Sequence, residues 1–169
     1  YNHEAFIGDA IRSVLAQTRT DFQLLIVDDA SQDGTVSEAE KIKDSRIRVR
    51  SNSENLGLGL SLARALDDVD TAFVAWLNSD DLFHPLRLER CLAPLDEDTE
   101  LAVVATALSP LDSSGRILSA TNSSPVFDGP QIYQWLRWYD EHACMDKPPS
   151  DLLGALLERN FLITTSNLV

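Results

Sequence analysis

The stretch LLIVDDASQDGT, residues 24–35, places four apolar residues directly before two adjacent aspartates and a polar turn. Such a continuous apolar run is typical of a strand buried on both faces, so Asp28 and Asp29 fall at the carboxyl end of that strand. Ionised neighbours repel each other and resist burial, and the pair therefore needs water, a cation or hydrogen-bond donors close by. The stretch alone leaves two interpretations open, a solvated strand end before a turn and a binding site.

A second apolar run, residues 72–77, also ends in polar residues, NSDD at 78–81. Ligands of open parallel sheets bind beyond the carboxyl ends of the strands, so we expect both acidic clusters at one rim of the sheet. Hard cations such as Mg²⁺ or Mn²⁺ prefer oxygen ligands and commonly bridge to substrate phosphates, which suits such a rim. The competing interpretation of residues 78–81 is an N-cap cluster for the helix that follows Pro85.

Helices and strands alternate along the chain. Hydrophobic periodicity predicts helices at 4–17, 35–43, a segment ending at 66, about 85–95, 131–139 and 150–159. It predicts strands at 22–27, 47–50, 72–77 and 101–108, with a hairpin turn at 112–115. This alternation predicts an α/β fold with a mostly parallel sheet flanked by helices.

Composition narrows the function classes. The 169 residues are enough for one domain with a sizeable core, and the net charge of −13 argues against a nucleic-acid partner. Cys91 and Cys144 are isolated and lack metal-ligand spacing, which favours buried thiols in a reducing compartment. The sequence has no apolar run near the roughly 18 residues of a membrane span and no signal peptide.

Four motifs in order carry a resemblance to a known family. They are YNHEAFIGDAIRSVLAQTRTDFQLLIVDDASQDGT at 1–35, NLG at 55–57, LNSDD at 77–81, and Pro85 with RLE at 87–89. Over about residues 1–95 the chain resembles the opening of family 2 glycosyltransferases of the GT-A fold. The resemblance implies a Rossmann-like GT-A domain over 1–169, with a nucleotide-sugar-binding half to about 95 and the start of an acceptor-side half at about 96–169. It also implies inverting transfer of a sugar from a nucleotide-diphosphate sugar, with a UDP-sugar favoured, to an acceptor hydroxyl.

The resemblance also implies roles for five residues. Asp29 would read the base of the nucleotide, and Tyr1 would line the same pocket. Asn55 and Asp80 would complete the nucleotide-binding set. Asp81, together with Asp80, would hold the divalent metal, Mn²⁺ or Mg²⁺.

The sequence departs from the family pattern at both ends and within two motifs. Asn78 stands where the family often has Asp, and Ser61 begins a segment that lacks the family's basic residue, with Arg64 as the nearby alternative. The family's first strand precedes its Tyr-Asn motif, and its catalytic base follows a segment resembling residues 160–169. We therefore expect the chain to be truncated at both ends, and we assign no catalytic base.

The implied partners are a nucleotide-sugar donor and a saccharide or lipid-linked acceptor, in cell-envelope polysaccharide biosynthesis and without nucleic acid. A cytoplasmic location is expected, and membrane association at the inner face through missing segments stays open. The glycine pattern of residues 55–59 has two interpretations, a phosphate-binding loop and a loop that needs glycine torsions; the missing lysine favours the second.

Two alternative functions remain. Asn78 and the unassigned base suit a catalytically silent module that binds nucleotide-sugars. The LLIVDD run also suits a receiver-type signalling domain with a Mg²⁺ pocket, although a complete helix precedes the acid pair here.

Overall fold

The structure is a computed structural model that describes residues 1–101, 104–106, 111–112, 115–117 and 167–168. The chain divides into two compact units, residues 1–104 with 167–169, and residues 105–166. The candidate site is built entirely from elements of the first unit. Three predictions fall outside the described residues: the helices at 131–139 and 150–159, and the buried thiol of Cys144.

Over residues 7–66 helices and strands alternate as the sequence predicts. In chain order the elements are α1 (Ile7–Leu15), β1 (Leu24–Asp28), α2 (Thr35–Lys41), β2 (Ile47–Ser51), α3 (Leu58–Leu66), α4 (Arg87–Glu97), β3 (Val104–Ala105) and β4 (Asn167–Leu168). Strands β1 and β2 are parallel, in a register that runs from Leu24 opposite Ile47 to Asp28 opposite Ser51. Helix α2 makes the crossover that a parallel pair requires, while β3 and β4 form a separate two-stranded sheet.

Helix α1 packs through one apolar stripe. Its buried residues Ile7, Ala10, Ile11 and Val14 follow the i, i+3, i+4, i+7 spacing of a helix face. Phe6 precedes the helix at its N-cap and is 51% exposed, so the helix begins at Ile7, three residues later than the sequence pattern predicts.

The core of this unit consists of three clusters. Ile7 and Ile11 pack with Ala39 of α2 against β1 and β2. The second cluster joins α1 to the segment before α4 and to α4 itself; it consists of Val14, Phe83 and Leu88. The third contains Cys91 and Leu95. Cys91 is fully buried, and burial raises the pKa of its thiol, in agreement with the predicted inert cysteine.

Residues 72–77 do not form the predicted strand, so this prediction is wrong. Phe73, Ala75 and Leu77 alternate toward the core, which is strand spacing, but only Ala75 takes part in a β-bridge. An apolar pattern reports which side chains are buried, whereas a strand also needs a neighbouring backbone at ladder distance. The predicted hairpin turn at 112–115 is confirmed by the antiparallel bridge between Leu111 and Ile117.

Among the residues that the structure describes, no helix is both long enough and apolar enough to cross a membrane.

Candidate functional site

Asp28 fastens the start of the loop that follows β1. Its carbonyl oxygen accepts a hydrogen bond from Asn52 N at 2.8 Å, and its Oδ2 accepts one from Ser31 N at 3.1 Å. The residue is 5% exposed, and its Oδ1 is buried without a hydrogen-bond partner. Asp28 therefore holds the loop in place through both its backbone and its side chain.

Asp29 is the most heavily bonded side chain of the site. Its Oδ1 accepts hydrogen bonds from Asn52 Nδ2, Ser61 Oγ and Leu56 N at 2.8, 2.8 and 2.9 Å. Its Oδ2 accepts one from Gly57 N at 2.8 Å. Burial by itself would raise the pKa of Asp29, but these donors outweigh it and lower that pKa to about 2. Asp29 is therefore ionised at neutral pH, and Oδ2 is the oxygen with capacity for a further donor.

The same contacts explain the glycine loop after β2. Gly57 has φ +78°, in the left-handed region that glycine adopts without strain. The amides of Leu56 and Gly57, which a phosphate would require, donate to Asp29 instead. Asn55 is exposed, and its Oδ1 accepts a second contact from Gly57 N at 3.2 Å. The structure thus favours the torsional interpretation of this loop over a phosphate-binding one.

The first two residues lie against the loop that follows β1. Asn2 N donates to Ser31 Oγ at 2.9 Å, and Asn2 Oδ1 accepts from Gln32 N at 2.8 Å. Asn2 has φ 56°, which asparagine tolerates better than most residues, so the Tyr-Asn motif has a physical reason. Tyr1, half exposed, extends from this anchored position.

Glu4 and His3 are also bonded to the loop that follows β1 and to the start of α2. The backbone N of Glu4 donates to Asp33 Oδ2 at 3.0 Å, while its own Oε2 accepts from Gly34 N at 3.0 Å. His3 N donates to Thr35 Oγ1 at 2.8 Å. Residues 1–4 are therefore joined to residues 31–35 by reciprocal hydrogen bonds.

The acidic cluster at 78–81 forms a turn, called here the acid turn. Asp81 N donates to Asn78 O, and Asn78 Nδ2 donates to Asp81 Oδ2, both at 3.1 Å. Asp80 is exposed and Asp81 is partly buried. Burial raises the pKa of Asp81, the neighbouring charge of Asp80 adds to the rise, and the Asn78 hydrogen bond opposes it. The N-cap interpretation is wrong, because the N-cap of α4 is Leu86 and no N-cap side chain bonds the start of this helix.

A side-chain contact brings the acid turn to the N-terminal loop. His3 Nδ1 lies 2.6 Å from Ser79 Oγ, a hydrogen bond across 76 positions of the chain. Since His3 is also fixed to Thr35, residues 1–4, 28–35 and 78–81 meet at one edge, called here the polar rim. The expectation that both acidic clusters share a rim is supported by this contact.

Residues 13–18, the SVLAQT motif, hold the segment that leaves the acid turn. Ser13 Oγ accepts from Phe83 N at 3.0 Å, and Thr18 N donates to Pro85 O at 2.9 Å. Gln17 Nε2 donates to His84 O at 2.9 Å. The motif therefore holds residues 83–85, which follow the acid turn, against the end of α1.

The acidic residues of the polar rim suit a metal ion that takes only some of its ligands from the protein. In the part of the chain that the structure describes, no group of three or more His, Cys, Asp or Glu side chains could hold a metal alone. Asp80 and Asp81 supply two adjacent carboxylates, which is the protein share when a Mg²⁺ or Mn²⁺ takes its other ligands from phosphates and water. The metal role of this pair stays a prediction, as do the nucleotide roles of Tyr1, Asp29 and Asn55.

Four residues of the site escape prediction from the sequence: His3, Gln17, Asn52 and Ser61. Each acts on a partner distant along the chain, so no local spacing reveals it. Only Ser61 among the four has a signal in the local sequence, because it is a serine in a helix otherwise rich in leucine and alanine. In the structure it is 6% exposed.

The parallel strands β1 and β2, with a carboxylate pair at the end of β1, define a class, the α/β proteins with a parallel sheet, whose ligands bind beyond the carboxyl ends of the strands. A model of Glycosyl transferase family 2 matches residues 1–148, and the chain belongs to this family. The receiver-domain alternative is thereby excluded.

Two relatives and one solved structure illustrate the match. The chain is 37% identical over 89 residues to UDP-Glc:alpha-D-GlcNAc-diphosphoundecaprenol beta-1,3-glucosyltransferase WfgD of Escherichia coli, covering 53% of this chain and 35% of the relative. It is 31% identical over 128 residues to chondroitin synthase of Escherichia coli, covering 75% of this chain and 19% of the relative. The crystal structure of S. aureus TarS matches with a TM-score of 0.54 and 31% identity, covering 57% of this chain and 18% of that chain. The expected GT-A fold is confirmed, and the chain spans about a third or less of these relatives.

Proposed function

We propose that this chain is the donor-binding portion of a glycosyltransferase that transfers a sugar from a UDP-sugar to an acceptor hydroxyl, with inversion at the sugar carbon. The observation that carries the proposal is the polar rim itself. The His3–Ser79 contact holds the acid turn beside the loops that carry Tyr1 and Asp29. A nucleotide-diphosphate sugar needs both, a polar pocket for the nucleoside and carboxylates that hold a metal on the diphosphate.

Asp29 is suited to recognise the base of the nucleotide. It is held ionised by donors from the glycine loop and α3, so it accepts but never donates at neutral pH. Such an acceptor recognises an N–H of a base, and uracil offers one. The name of WfgD, which specifies UDP-Glc, supports a UDP-sugar over other donors.

Asp80 and Asp81 are the proposed metal residues. Mn²⁺ or Mg²⁺ bound there would offset charge on the diphosphate as it leaves. Its binding would also relieve the unfavourable burial of the Asp81 charge, which is the cause of the raised pKa of this residue.

The acceptor is proposed as a saccharide or a lipid-linked saccharide of the cell envelope, made at the cytoplasmic face of the membrane. The diphosphoundecaprenol acceptor in the name of WfgD supports the lipid-linked form. The polysaccharide in the name of chondroitin synthase supports the saccharide form.

A thermal-shift screen tests the proposal. UDP, GDP, dTDP and UDP-sugars are compared with Mn²⁺ and with EDTA, because a ligand that binds the native state raises its melting temperature. We expect UDP and one UDP-sugar to stabilise the chain, each more strongly in Mn²⁺ than in EDTA. Equal shifts with every nucleotide, or no shift with any, contradict the proposed donor.

A catalytically silent module is the second candidate, favoured by the amide of Asn78 on Asp81 Oδ2. Metal-dependent UDP binding by the full-length protein, without sugar transfer or hydrolysis, would distinguish it from an active transferase.

A further inference from the structure

We infer that His3 is a positioning residue that couples the nucleotide-binding loop to the metal-binding acid turn, through its hydrogen bond to Ser79. The inference rests on the proposed function of the polar rim and deepens it. It assigns a role to two residues that neither the motifs nor the family match assigns.

His3 is held from three directions on the loop side. Its backbone N donates to Thr35 Oγ1 at 2.8 Å. Its carbonyl oxygen accepts from Phe6 N and Ile7 N, both at 3.0 Å, at the first turn of α1. Its ring meets that of Phe6 edge to face, with ring centroids 5.9 Å apart. The imidazole therefore has little freedom to leave Ser79.

The other end of the bond lies within the acid turn. Ser79 is flanked by Asn78 and by the two proposed metal residues, and Asp81 is bonded back to Asn78 on both backbone and side chain. Fixing Ser79 therefore fixes the direction in which Asp80 and Asp81 present their carboxylates. The bond forms with either ring tautomer, since the serine hydroxyl donates to a bare Nδ1 and accepts from a protonated one.

A bond between two ligand-binding loops transmits binding free energy between their ligands. When Mn²⁺ orders the acid turn, the His3–Ser79 bond orders the loop that carries Tyr1, and the nucleotide then binds a loop already in place. Metal and UDP should thus strengthen each other by one factor, which is the same whichever is added first.

The test is a set of calorimetric titrations of UDP into the chain, at saturating Mn²⁺ and in EDTA. The ratio of the two dissociation constants is the coupling factor. We expect His3→Ala and Ser79→Ala each to reduce this factor about fivefold, as loss of one hydrogen bond does, and to leave UDP affinity in EDTA unchanged. The double variant should show no further loss.

Conservative variants distinguish a hydrogen bond made at the place of Nδ1 from a side chain that only fills space. The side-chain amide of Asn occupies the place of Nδ1, whereas that of Gln reaches the place of Nε2, so His3→Asn should restore the factor and His3→Gln should not. His84→Ala is the matched control, because that ring bonds Leu86 N at 3.2 Å within its own segment. An unchanged factor in His3→Ala, or equal rescue by Gln and Asn, overturns the inference.

A second measurement needs no ligand. Asp81 N–H donates to Asn78 O within the acid turn, and we expect hydrogen exchange of this amide to accelerate in His3→Ala and Ser79→Ala but not in His84→Ala. Unchanged exchange overturns the positioning role. Absence of Mn²⁺-coupled UDP binding in the unmodified chain instead contradicts the proposed function, so the two failures are distinguishable.

Discussion

Gln17 Oε1 accepts a hydrogen bond from Leu88 N at 3.0 Å, across 71 positions of the chain. Leu88 is in the first turn of α4, where backbone N–H groups lack partners within the helix, and the residue at the N-cap, Leu86, makes no side-chain cap. Gln17, two residues past the end of α1, therefore caps α4 from outside. Gln17 also holds the segment between the acid turn and α4, because its Nε2 donates to His84 O.

Gln17→Leu should destabilise the fold. Gln17 is 4% exposed and also donates to Ser13 O and His84 O, so the change leaves buried groups without partners. We expect a loss of about 1–3 kcal/mol in the free energy of unfolding, measured by urea denaturation. The same change at exposed Gln23 is the control and should cost less than about 0.5 kcal/mol. Equal losses at the two positions would refute the capping role.

The contrast between Gln17 and Val14 shows what the sequence predicts and what it does not. Val14 belongs to a periodic stripe, and periodicity alone places it in the core. Gln17 is polar and buried, and its partners are set by the packing of α1 on α4, which no local window contains. The Asp28–Asp29 pair lies between these cases. Its place at a strand end follows from the pattern, while the donors that surround Asp29 come from the loop after β2 and from α3.

Ser61→Ala should reveal the network around Asp29 through its pH dependence. The folded pKa of Asp29 is about 2, below its usual value of 3.8, so its stabilising effect is complete above about pH 5 and declines as the pH falls through 4 toward 2. Ser61 Oγ is one of the donors that lower this pKa. We expect Ser61→Ala to cost about 1.5–3 kcal/mol at pH 7, the value for a hydrogen bond to a charged group.

The unmodified chain and Ser61→Ala should therefore differ less in their free energy of unfolding as the pH falls below 4. Urea denaturation at successively lower pH measures this difference. Ser37→Ala, at an exposed serine of helix α2, is the control for the effect of the same substitution on helix propensity. A difference that stays constant from pH 7 to pH 3 would mean that Ser61 does not act through the charge of Asp29.

Ala30 should tolerate glycine and reject valine. Its φ of 62° lies in the left-handed region, which costs a residue with a Cβ about 1–2 kcal/mol, and more when the side chain is β-branched. We expect Ala30→Gly to leave the melting temperature equal or higher and Ala30→Val to lower it. Ala63, on the exposed side of α3, is the control, because glycine there should cost about 1 kcal/mol. A loss at Ala30 equal to that at Ala63 would contradict the strain.

Asp81→Asn should separate stability from metal binding. Because burial raises the pKa of Asp81, its ionised form is disfavoured in the folded chain, and at neutral pH that charge lowers stability. Asparagine keeps the shape and can still accept from Asn78 Nδ2. We therefore expect a higher melting temperature without metal, together with loss of Mn²⁺-dependent UDP binding in calorimetry.

The two effects should have opposite signs because a residue retained for its charge at a ligand site opposes folding until the ligand arrives. Asp70→Ala, at an exposed aspartate before the 72–77 segment, should change neither quantity. UDP affinity that responds to Mn²⁺ equally in Asp81→Asn and in the unmodified chain would remove Asp81 from the metal site. A lower melting temperature in Asp81→Asn would show instead that the ionised carboxylate supports the acid turn, and the charge would then need a structural explanation.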